Sequence, residues 1–79
     1  MTSRERIAAL LSEILKVPVD PAREYAREQA ENWDSLNHLR IVLAFEEEFG
    51  VSLPPEEVVA VRCLSDLERL AQRTAQPPP

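Results

Sequence analysis

Only one glycine, one cysteine and one histidine occur among 79 residues, and each shortage closes off a class of chemistry. A single glycine, Gly50, cannot build the glycine-rich loop with which a backbone wraps a phosphate. A lone Cys63 has no internal disulfide partner, and one cysteine with one histidine supplies too few soft ligands for a structural zinc site. A reducing compartment suits this composition, so a cytoplasmic protein is expected. Long hydrophobic runs are also missing. A run such as IVLAF falls far short of the roughly 20 residues a membrane helix needs, and MTSRERIAALLSEILK is charged and amphipathic, unlike a signal peptide. No membrane is therefore expected as a partner. Nor is there a basic excess: 14 acidic residues against 9 basic give a net charge of -5, which argues against nucleic acid and favours basic partner proteins.

What is present is the balance of a folded domain, 44% hydrophobic and 29% charged. A chain this short has room for one core, so a single monomeric domain of modest stability is expected. Ile7, Leu10, Leu11 and Ile14 recur at helical spacing behind Thr2 and Glu5, a capping-box pair, and predict a first helix that KVPVDP ends. From Val17 to Trp33 no apolar period is sustained, although Asp20 and Pro21 could cap a short turn through Tyr25 and Ala26. Connections this long in small domains tend to lie beside function or to be mobile.

A second helix is predicted over Ser35–Phe49, capped by Asp34 and ended by Gly50. Its apolar residues Leu36, Leu39, Val42, Leu43, Phe45 and Phe49 spread over a broad sector, with Asn37, Arg40, Glu47 and Glu48 on the other side. VSLPPEE with Val58, Val59 and Val61 allows a short third helix started by Pro54 or Pro55. The last helix begins near CLSDLERL, where Ser65 and Glu68 have capping-box spacing and Leu64, Leu67, Leu70 and Ala71 form a stripe. No strand pattern, repeat or phosphate loop is found. The expected fold is all-α, a small irregular four-helix bundle of three main helices and one short one with a long first loop, over residues 1–74, followed by a disordered proline-rich tail at 75–79.

Within ENWDSLNHLR, Ser35 admits three readings. It begins a helix, as serine does well, yet Asp34 can already be the cap and the second hydroxyl is then surplus. It is a nucleophile with His38 three residues on, but an aspartate adjacent to the serine is badly placed to hold the far imidazole nitrogen, and no nucleophile elbow or oxyanion hole is evident. With Asp34 as cap, Trp33 and His38 instead occupy the positions of a hydrophobic staple, so the imidazole is expected to pack on the indole. Or Ser35 is an attachment point, because a phosphate ester there would meet the unpaired amides and positive dipole end of a helix.

DSL opening a helix, then RIVLAFEEEFGVSLPPEE and a capped final helix at CLSDLERL, resembles the acyl carrier proteins of the phosphopantetheine-binding family over nearly the whole chain. The resemblance implies a 4′-phosphopantetheine arm on Ser35, installed from coenzyme A by a separate phosphopantetheinyl transferase with magnesium. Acyl groups would ride on it as thioesters. It implies a protein that catalyses nothing itself and presents the arm to acyl-loading, condensing or transfer enzymes of a dissociated fatty-acid, polyketide or related pathway. Recognition would fall to Asp34 and to the second helix, through Leu36, Asn37, Arg40, Glu47 and Glu48. Asn37 and Arg40 stand where the family commonly has acidic residues, a departure from the face that the usual fatty-acid enzymes meet. Asn32 stands where the family often has glycine and could take a left-handed backbone, and Cys63 where it often has a capping threonine. Two alternatives stand beside this reading: an aminoacyl or peptidyl carrier, and an unmodified helical interaction module.

Overall fold

Thr2 and Glu5 cap the start of the first helix as their spacing predicts. The Thr2 hydroxyl accepts from the Glu5 amide at 3.1 Å and the Glu5 carboxylate accepts from the Thr2 amide at 2.9 Å, opening α1 (Ser3–Leu15) in the computed structural model, which describes residues 2–75. These bonds hold the Glu5 carboxyl below its ordinary range. Ile7, Ala8, Leu11 and Leu15 are buried, while Leu10 and Ile14 are only partly covered. The helix stops before the prolines are reached: Lys16 takes the left-handed conformation at φ 60°, the one non-glycine residue to do so among those described.

The long connection is irregular but well tied. Asp20 accepts from Ala22 at 2.9 Å in a local turn, and a single 3-10 turn, Arg27–Gln29, replaces the expected helical turn through Tyr25. Arg27 donates its amide to the Arg62 carbonyl at 2.8 Å and Leu64 donates to the Tyr25 carbonyl at 2.9 Å, an isolated antiparallel bridge. Arg4 adds a hub. Its guanidinium donates to the carbonyls of Pro21 and Arg23 and to Ser65 and Glu68, joining α1, the connection and the last helix. Val19 and Trp33 can thus be buried from a segment with no helical period.

α2 (Ser35–Phe49) has the expected bounds and caps, with Asp34 at its start and Gly50 at φ 66° after its end. A short α3 (Pro55–Ala60) has Pro55 in its first turn and buries none of its residues, whereas Val61 just beyond it is in the core. α4 (Leu64–Ala75) starts before the Ser65–Glu68 pair rather than at it. The Cys63 carbonyl accepts the first helical amides, so Cys63 occupies the cap position. Ser65 lies inside the first turn, and its amide donates to Glu24 of the connection at 3.1 Å. A capping partner supplied by tertiary contact has displaced the local one. α1 packs on α2 and α4, and α2 also touches α4, around Phe45, Ile41, Leu11 and Leu67. The bundle is all-α and irregular. α4 extends through Ala75, one residue past the expected boundary, and residues 76–79 of the expected tail lie outside the described residues.

Candidate functional site

Asp34 is extended at φ -90° and ψ -175°, and its Oδ1 accepts from the Asn37 amide at 2.8 Å. With the cap in place, Ser35 is left at the first helical position, exposed, and its hydroxyl makes no hydrogen bond among the described residues. First-turn amides of a helix have no intrahelical acceptor, so an anionic ester at this hydroxyl would sit at the positive end of α2. The site fits a phosphodiester in charge and in access.

His38 belongs to the scaffold. Its ring stacks on Trp33 at 6.2 Å, as the staple spacing predicts, and is also hydrogen-bonded through both nitrogens. The indole Nε1–H donates to Nδ1 at 2.9 Å, which leaves the proton on Nε2, and Nε2–H donates to the Val58 carbonyl of α3 at 2.8 Å. Tyr25 also stacks on Trp33, at 6.4 Å. This ladder of three rings joins the connection, the start of α2 and α3. No imidazole nitrogen remains for Ser35, so the hydrolytic pairing is absent.

The expected recognition residues differ in their freedom. Asn37 is half-buried and donates to the Asn32 carbonyl at 2.7 Å. Asn32 is not left-handed; its side chain donates to the Leu15 carbonyl at 3.0 Å, closing the end of α1. Glu48 pairs with Arg6 at 3.4 Å, and the same guanidinium lies 4.5 Å over the Phe49 ring. Arg40 and Glu47 are exposed, make no ion pair among the described residues, and line one wall of an open groove of about 730 Å³ between α1 and α2. Burial above all, and Asp66 beside it, push the Cys63 thiol above its ordinary value.

One feature of the site is not evident from the breadth of the apolar sector. Leu36, Leu39 and Leu43 are 58%, 55% and 64% exposed, while His38, Ile41, Val42 and Phe45 face the core. A helix in a small bundle buries one stripe, and α2 carries apolar residues on two.

A small all-α bundle that presents an uncommitted serine at the start of a central helix has the form of a covalently loaded carrier domain. Residues 5–71 match the family model described as Phosphopantetheine attachment site, and the chain belongs to that family. It is similar to an acyl carrier protein of Thermosynechococcus vestitus, 33% identical over 66 residues that cover 80% of this chain and 79% of the relative. The chain is a carrier protein of a non-catalytic family whose prosthetic group is covalent 4′-phosphopantetheine. Among the described residues, no group of His, Cys, Asp and Glu could hold a metal ion, and no helix is long and apolar enough to cross a membrane.

Proposed function

We propose that Ser35 carries the arm and that the protein presents acyl thioesters to the enzymes of a dissociated fatty-acid, polyketide or related pathway. The observation that supports it is the division of labour at the start of α2: Asp34 caps the helix, and the neighbouring hydroxyl is exposed and unbonded. The bound group supplies a thiol on a long flexible tether. The chain's own residues hold the attachment oxygen at the positive end of α2 and fix the helix start through Trp33, His38 and Asn37. In this reading a phosphopantetheinyl transferase in the cytoplasm recognises Asp34 and Leu36 beside the serine, and the carrier acts as a monomer. Arg40 and Glu47, unpaired on α2, meet the enzymes that load and unload the arm.

Intact mass after incubation with coenzyme A, magnesium and a promiscuous transferase tests the attachment. One added phosphopantetheine is expected on the wild-type chain and none on Ser35→Ala. Equal addition to both proteins would move the site elsewhere, and addition to neither would favour an unmodified interaction module. An aminoacyl or peptidyl carrier would be separated from an acyl carrier by the enzyme that loads it.

A further inference from the structure

We propose that Arg27 pairs with the phosphodiester of the prosthetic group and so clamps the base of the arm to the connection between α1 and α2. The inference rests on the reading that Ser35 is the attachment point. Arg27 is half-buried in that connection and held by both its backbone and its side chain. Its amide donates to the Arg62 carbonyl at 2.8 Å, its carbonyl accepts from the Ala30 amide at 3.2 Å, and its Nε–H donates to the Trp33 carbonyl at 3.0 Å. The last bond fixes the guanidinium beside the peptide that joins Trp33 to Asp34. Its Nη nitrogens make no hydrogen bond and no ion pair among the described residues. A guanidinium is always charged and presents paired N–H groups that match a phosphate.

Distance and charge both suit this pairing. With planar peptides and consecutive Cα atoms about 3.8 Å apart, the Trp33 carbonyl oxygen lies no more than about 7 Å from the Ser35 Cα. A guanidinium bonded to that oxygen and a phosphate ester on the serine side chain are together long enough to span the gap. Loading also places a negative charge one residue from the exposed Asp34, with Glu31 close by in the chain. The first-turn amides of Ser35 and Leu36 offset part of that repulsion, and a full cation held on the same segment offsets more. Lys16, Arg40 and Arg62 also lack an ion pair among the described residues, but none has a side-chain hydrogen bond to residues 32–34. Arg40, five residues beyond Ser35, stands about 140° around α2.

Protein carrying isotope-labelled arginine is compared by NMR before and after loading from coenzyme A, with loading checked by intact mass. On loading, the Nε and Nη resonances of Arg27 are expected to shift and the rotation of its guanidinium to slow, while the resonances of Arg62 stay in place. In Arg27→Gln, with helix content unchanged, the phosphorus resonance of the loaded protein should move toward that of a phosphopantetheinyl-serine peptide. Arg27 resonances identical in the two forms would overturn the proposal, as would a phosphorus resonance unchanged by the substitution. If Arg27→Gln does not fold, the Arg27 resonances of the wild-type chain decide alone. A chain that takes up no phosphopantetheine removes the attachment reading and the proposal with it, whereas one that loads and leaves Arg27 unmoved removes the proposal only.

Discussion

Asp34 and Ser35 are both helix-capping types, and α2 uses one of them. The aspartate accepts the Asn37 amide, so the serine hydroxyl is available for chemistry. His38 is the opposite case, a chemically versatile side chain wholly engaged in structure. Its ring receives the indole proton at Nδ1 and gives its own to the Val58 carbonyl. In His38→Leu the stacking surface survives while a buried indole N–H and a carbonyl lose their partner, at about 1–3 kcal/mol for an unsatisfied group. Thermal denaturation should show a lowered midpoint. Transferase loading of Ser35 should persist, because the histidine does not touch the hydroxyl; loss of loading in a folded variant would assign His38 a role in the site.

The connection between α1 and α2 and the start of α4 act as one unit. Glu24 accepts from the Ser65 amide at 3.1 Å, and Arg4 reaches Ser65 at 3.3 Å and Glu68 at 3.1 Å. Burial pushes the Glu24 carboxyl up, but hydrogen bonds from Ser65, Tyr25 and Cys63 outweigh it and leave the group below its ordinary value. A carboxyl depressed in the folded state contributes stability that is present above its unfolded value, about 4.3, and is lost as pH falls through the folded one. Acidification below about pH 4.3 should therefore loosen this unit, and Glu24→Gln should flatten that part of the stability profile. Denaturant melts between pH 6 and pH 3 (values approximate) check it; identical acid limbs in the two proteins would remove Glu24 from the linkage.

At the scale of the whole molecule, a net charge of -5 suits basic partners, yet Arg40 stands unpaired on the helix that follows Ser35. Glu48 is already paired with Arg6 and Asp34 caps the helix, so Arg40 and Glu47 are the charges of the expected docking set that have no partner among the described residues. A partner of this carrier is expected to place an acidic or neutral group opposite Arg40. Arg40→Glu should weaken transfer with that partner by a factor of about 5 to 150, equivalent to about 1–3 kcal/mol, and improve turnover by enzymes with basic docking rims. Rates at two salt concentrations with one pantetheinylated preparation check it, since an electrostatic effect shrinks as salt rises. Unchanged rates at low salt would place partner choice outside this face.

The local rules of the chain determined its helices wherever the deciding partners are close in sequence. Thr2 with Glu5, Asp34 with Asn37, Pro55 and Gly50 each act over a few residues, and the bounds of α2 follow from them. The DSL motif and its setting likewise pointed to the carrier family that the comparisons show. Tertiary structure decided what depends on residues far apart. Leu39 and Val42 are equally apolar, and only packing against α1 and α4 determines that one is exposed and the other buried. Ser65 and Glu68 have the spacing of a cap, but Cys63 and the distant Glu24 took that role once the connection folded onto α4. His38 became a bolt to α3 because Val58 came within reach of its ring. Local hydrogen bonds compete over a few residues and can be read in sequence, whereas burial and long-range polar pairing are settled by which surfaces the whole chain brings together.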